Sequence, residues 1–189
     1  MDNTIFSALL PHASDDMRNA VIPTLSRFGD GALNFAASNG VTIRILKRGE
    51  QYANASAALA RLGIDVDAWP APPAGLFVVE ERAVYLRSTS PMTVAHEFGH
   101  ALDCALGAGA YFSGTDAHIR AAFASATSFV TPYSTSGIDE FFAEACRAYV
   151  GANDPTSAWP AVSRERLQRI DPATFEIVET IFVGFGDGG

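Results

Sequence analysis

The sequence predicts an α+β fold, with a small mixed or antiparallel sheet near the middle of the chain and helices before and after it. Three observations carry that expectation. In VTIRILK, residues 41–47, Val41, Ile43 and Ile45 alternate with Thr42 and Arg44, the period-2 pattern of a strand with one buried face. In LFVVEERAVYLRS, two short apolar runs, Leu76 to Val79 and Ala83 to Leu86, flank the polar turn Glu80-Glu81-Arg82, which is a hairpin signal. The other long segments carry apolar residues at helical spacing.

Residues 14–38 read as helix from an N-cap at Ser14, with Asp15 and Asp16 in the first turn, where negative charge suits the helix dipole. Pro23 and the GDG at 29–31 are expected to break it in two. After the first strand, a helix over about 52–62 should stop at Gly63. The loop AWPAPPAG, 68–75, is stiffened by three prolines, which fix φ and remove backbone donors. Ser90 and Pro91 supply an N-cap and first-turn pair for a helix from Pro91 to about Leu106, ended by the glycines at 107 and 109. Further helices fit 116–129, 138–150 (Ser136 capping, Gly151 terminating) and 164–183, the last with a restart at Asp171-Pro172. Apart from the GFGDGG tail, 184–189, no repeat, linker or low-complexity tract is visible. One domain over 1–189 is expected: a helical part at 1–40, the sheet and its following helix at 41–107, and a second helical part at 108–183.

A chain of 189 residues with 48% hydrophobic content can bury a sizeable core. Its net charge of -8, from 13 Lys+Arg against 21 Asp+Glu, attracts neither phosphate backbones nor anionic lipid, so nucleic acid is not an expected partner. The opening MDNTIFSALLPHASDD lacks a basic n-region and a long apolar core, and no apolar run approaches the roughly 18 residues of a membrane span. A soluble monomer is expected, cytoplasmic by default, with secretion open if a leader was removed or another route is used. Cys104 and Cys146 sit among apolar neighbours and read as buried free thiols, with a disulfide between them as the alternative.

The chemistry concentrates in MTVAHEFGHALD, Met92 to Asp103. On a helix, positions i and i+4 stack with Cβ atoms about 5 to 6 Å apart, so His96 and His100 can aim two imidazoles at one ion. Glu97, beside the first ligand, can take a proton from a metal-bound water. Zinc suits two nitrogen ligands, and a catalytic zinc uses three protein ligands plus a water. The bland alternative is a helix with two structural histidines. Random placement of this chain's four His and nine Glu gives H-E-x-x-H in on the order of a few chains per thousand, and here the motif follows a hairpin on a predicted helix. Val94, Ala95, Phe98, Ala101, Leu102, Ala105 and Leu106 form an apolar stripe that leaves both histidines on a separate face.

A third ligand must come from elsewhere. Asp103 lies seven residues from His96, about 10.5 Å along the axis, too far for one ion; it reads as an outer or helix-end polar group, or as plain surface. Asp103 and Leu106 also occupy the positions where a long-spacer H-E-x-x-H-x-x-G-x-x-H site needs Gly and His. SGTDAHI offers Asp116 and His118; GIDEFFAEACRAY offers Asp139, Glu140 and Glu144, and is the better source. Glu140 and Glu144 form an i, i+4 like-charge pair, which a facing cation would relieve. A solvated acidic stripe is the alternative.

HEFGHALD followed by PYSTSGIDEFFAEACRAY resembles the catalytic domain of the anthrax lethal factor-like metalloendopeptidases, a group that includes the clostridial Pro-Pro endopeptidases. In those enzymes a tyrosine precedes the glutamate ligand by seven residues, as Tyr133 precedes Glu140 here. The resemblance covers about 75–150. It implies a zincin-like fold, Zn2+ held by His96, His100 and Glu140, Glu97 as general base, Glu144 orienting a ligand histidine, and Tyr133 stabilising the oxyanion. The expected activity is zinc-dependent peptide hydrolysis, with an extended peptide or protein substrate lying along a hairpin strand within 76–87. Two other readings stand beside it: a cytosolic regulatory metallopeptidase acting on a repressor-type protein, and a binding module that keeps zinc only as a staple.

Overall fold

Three short strands pair into one mixed sheet at the centre of the chain. The computed structural model describes residues 3–186; the last three residues of the glycine-rich tail lie outside the described residues. Strand β1 (Thr42–Ile45) runs parallel to β3 (Ala83–Leu86), and β2 (Gly75–Val78) runs antiparallel to β3 on its other side. The register places Ile43 and Phe77 on either side of Val84. Every residue of β3 is buried, so the central strand reads as the continuous apolar run AVYL, while in the edge strand β1 only Ile43 is fully buried and Ile45 is half-buried. The hairpin turn is a short 3-10 segment, Val79–Glu81, closed by Arg82 in the left-handed region at φ 49.

Helices α1 (Asn3–Leu9), α2 (Asp15–Leu25) and α3 (Gly29–Ser38) precede the sheet. The first falls inside the helical part expected over 1–40 but was not singled out as a helix, although its Ile5, Phe6 and Leu9 are buried. Ser14 caps α2 as expected. Pro23 does not break that helix: it lies one turn from the end, where it costs one backbone bond, and the interruption comes at the 3-10 turn Ser26–Phe28. The single helix expected over 52–62 is two, α4 (Tyr52–Ala55) and α5 (Ala57–Leu62). Ser56 turns extended between them and uses its hydroxyl to cap Leu59. Gly63 then ends α5 at φ 66.

Helix α6 (Pro91–Leu106) begins at Ser90-Pro91 and is followed by Gly107, with the boundaries the caps predicted. It is buried nearly all round, so Glu97, His100 and Asp103 are as shielded as the apolar stripe. Its main partner is α8 (Ile138–Tyr149), and the two approach closely at Gly99 and Ala143. A methyl on Gly99 would come within 2.9 Å of the Ala143 Cα, so only a glycine allows this spacing. Around the crossing Phe98 and Phe142 are fully enclosed, and Phe98 meets Phe28 edge-on at 4.8 Å. Burying one such ring contributes roughly 1.5 to 3 kcal/mol.

Helix α7 (Ala117–Ser125) stops four residues short of the expected end because Ala126 is extended; Phe129 nonetheless packs against Phe123 and Phe141. The cap of α8 is corrected too. Gly137 occupies the N-cap, and Ser136 instead donates its hydroxyl to the Tyr133 carbonyl at 2.7 Å. The chain closes with α9 (Arg164–Ile170) and α10 (Pro172–Gly186), separated at Asp171. Cys104 and Cys146 are both free and buried. Among the described residues no helix is long and apolar enough to cross a membrane.

Candidate metal centre

Because α6 and α8 touch at Gly99 and Ala143, the turns on either side face each other, and His96, His100 and Glu140 converge. His96 Nε2 lies 3.0 Å from Glu140 Oε2, His100 Nε2 lies 3.3 Å from the same oxygen, and the two Nε2 atoms are 3.2 Å apart. Metal bonds of about 2.0 to 2.1 Å at tetrahedral angles set donor atoms about 3.3 to 3.4 Å from one another. The observed triangle is close to that size, so the three side chains fit one small cation.

The protons agree with this fit. Glu144 Oε1 accepts from His96 Nδ1 at 2.9 Å, which keeps a proton on Nδ1 and turns Nε2 into the triangle, where the loss of its own proton would free a lone pair for a cation. His100 likewise turns Nε2 inward, while its Nδ1 is buried without a hydrogen-bond partner. Burial would lift the Glu140 carboxyl, but hydrogen bonds from His100 and His96 hold it below the usual carboxylate range. Burial would lower the His96 imidazole, yet Glu140 and Glu144 outweigh it and pull the pKa up to about 10. A proton is therefore the competitor that a cation must displace.

Glu144 is the most heavily engaged group in the cluster. Arg147 grips it with Nε on Oε1 and Nη2 on Oε2, both at 2.9 Å, and Thr131 donates its hydroxyl to Oε2 at 2.6 Å. Burial alone would raise this carboxyl; the bonds from His96 and Arg147 bring it down to about 2. The like charge at Glu140 and Glu144 is thus relieved by Arg147 as well as by the histidines. Arg147 and Thr131 were missed in the sequence, although an arginine three residues beyond Glu144 was a visible partner for it.

Glu97 stands outside the donor triangle and is buried against β2. Desolvation pushes its pKa up, the direction a general base for neutral pH requires. Its carbon chain lies on Gly75: an added Cβ there would meet Glu97 Cγ at 2.5 Å and Oε1 at 2.9 Å. Strand β2 thus forms one wall of the site. Since misplacement by about 1 Å can cost on the order of 10²-fold, Gly75→Ala is expected to keep its metal content and lose about that much in kcat. Metal analysis and kinetics on one preparation check this, and an unchanged kcat would show that Glu97 is not held by the strand.

Tyr133, on a 3-10 turn before α8, sends its hydroxyl to Glu140 Oε1 at 3.3 Å, with its ring 5.4 Å from that of His96. Burial and then Glu140 raise its pKa to about 12, so the phenol keeps its proton and remains a donor. The other sequence candidates lie elsewhere. Asp116 caps α7, accepting from His118 N and Ile119 N, and the His118 side chain is exposed. Asp139, in the first turn of α8, takes no place in the triangle. Asp103 is not a surface group: it is fully buried, accepting from the backbone N–H and hydroxyl of Ser113 at 2.7 and 2.6 Å, and so anchors the loop after α6.

No family model matches the sequence, and no curated protein matches it. Among solved structures the chain is similar to the Pro-Pro endopeptidase PPEP-2 from Paenibacillus alvei, at 22% sequence identity and a TM-score of 0.64, over 94% of this chain and 99% of that one. The chain thus has the zincin-like α+β fold of that endopeptidase.

Proposed function

We propose that this protein is a zinc-dependent endopeptidase of the lethal factor-like kind. The observation that carries the reading is the triangle of His96, His100 and Glu140 donors, 3.0 to 3.3 Å apart, with a buried carboxylate beside it that belongs to no ligand set. A bound zinc would supply Lewis-acid polarisation of the peptide carbonyl and a more acidic water. The chain supplies the rest. Glu97 takes the proton of the attacking water as its oxygen bonds to the carbonyl carbon, and delivers it to the departing amine nitrogen as the C–N bond breaks. Tyr133 donates its phenol hydrogen to the developing oxyanion. Glu144, locked by Arg147 and Thr131, keeps the His96 ring turned toward the site.

The substrate would lie extended along β2, whose far edge carries no strand among the described residues. Metal analysis of the purified protein, followed by cleavage of a mixed peptide library, tests the reading; peptides with consecutive prolines belong in it, given the structural neighbour's name. A metal-loaded protein that cleaves nothing would return the site to a binding role. Tyr133→Phe tests the mechanism more finely. Loss of one oxyanion donor should lower kcat by about 10²-fold or more with zinc content and KM little changed. An unaltered kcat where chemistry limits turnover would leave Tyr133 a packing residue and weaken the likeness to lethal factor.

A further inference from the structure

Beside Glu97 lies a cavity of about 210 Å³ whose walls include Pro73, Ala74, Met92, Tyr133 and Trp159. Trp159 belongs to a strap, residues 153–162, that connects α8 to α9 and is tied down at several points. Asn153 clasps Val162 in both directions at 2.8 Å, side-chain amide to carbonyl and backbone N–H to side-chain oxygen. Asp154 accepts from the Thr156 backbone and hydroxyl. The Trp159 indole stands edge-on to Tyr133 at 6.3 Å between ring centres, yet is 47% exposed.

We propose that Trp159 is the outer wall of a specificity subsite that takes one compact apolar side chain of the peptide, next to the bond cleaved. The proposal rests on the endopeptidase reading above. A half-exposed indole over an apolar floor gains most when a ligand's apolar group displaces the water between them. The charges that line the cavity do not invite an acidic side chain: Glu144 and Arg147 neutralise each other through two bonds of 2.9 Å, and Glu97 offers only another carboxyl group. An acidic group brought in would lose hydration without gaining a free partner. At about 210 Å³ the cavity has room for one side chain of moderate size.

Two measurements test this. The chain has two tryptophans, so Trp69→Phe leaves Trp159 as its only indole. In that variant N-acetyl-leucine amide should shift Trp159 emission saturably, and N-acetyl-aspartate amide should act at least tenfold more weakly. No saturable response, or an equal one to both compounds, overturns the subsite. Digestion of a random peptide mixture supplies the second measurement. Trp159→Ala should reduce the preference for apolar over polar residues at one position flanking the cleaved bond by about tenfold or more, with metal content retained. A preference left intact, or a kcat lowered uniformly for all peptides, would mean that Trp159 merely backs Tyr133. The two readings fail separately: a leucine response with no cleavage by any preparation removes the peptidase and keeps the subsite, whereas cleavage without a leucine response does the reverse.

Discussion

Glu97→Gln is expected to bind a full complement of zinc and to lose cleavage by about 10²- to 10⁴-fold in kcat, the usual contribution of a positioned general base. Glutamine keeps the length and shape of the side chain, so the wall made by Gly75 and β2 is not disturbed. It cannot take a proton from water. Because Glu97 is not one of the three converging donors, its amide should leave metal affinity alone. The carboxylate is also buried at a cost that the neutral amide avoids, so the fold should be no less stable. Metal-to-protein ratio and turnover measured on one preparation decide the matter. A variant that loses its zinc makes Glu97 a ligand, and one that cleaves at the wild-type rate removes it from the reaction.

Glu140→Ala should lower zinc affinity by more than about 100-fold, beyond the roughly 10- to 100-fold typical of a group that only orients a ligand. Glu140 supplies the oxygen vertex of the triangle, and without it the two imidazoles present an incomplete set. Asp116→Ala and His118→Ala should titrate like the parent, since one is spent on a helix cap and the other is exposed. Glu144 is best tested as Glu144→Gln, expected to weaken zinc within that smaller range. The alanine variant would strand the buried Arg147 guanidinium, which typically costs about 3 to 5 kcal/mol and would confuse a ligand effect with unfolding. Full zinc occupancy in Glu140→Ala under limiting metal would exclude Glu140 as the third donor.

Where a feature depends on neighbours in the chain, the sequence was a good guide. The alternation in VTIRILK, the polar turn between two apolar runs and the Ser90-Pro91 pair led to β1, the hairpin and the start of α6. Gly63 and Gly151 ended helices in the left-handed conformation that glycine adopts at little cost. Errors came where two local signals competed. Ser136 looked like a cap, but its hydroxyl had a nearer acceptor in the Tyr133 carbonyl. Ser56 looked like helix interior, yet its hydroxyl capped Leu59 and split the segment. Asp103 shared a face with the histidines, but nothing in its neighbours revealed that Ser113, ten residues on, would fold back over it.

The sequence by itself determined the α+β class, the helix bearing His96, Glu97 and His100, and the helix bearing Glu140 and Glu144, because helical period and caps are written within a turn or two of each residue. Only the tertiary structure decided that these two helices meet, since a contact such as Gly99 against Ala143 is fixed by the packing of the whole core and has no local signature. From that contact follow the size of the donor triangle and the meeting of Glu144 with His96 Nδ1. The seat of Glu97 on Gly75 and the placement of Trp159 over the cavity likewise join segments distant in sequence.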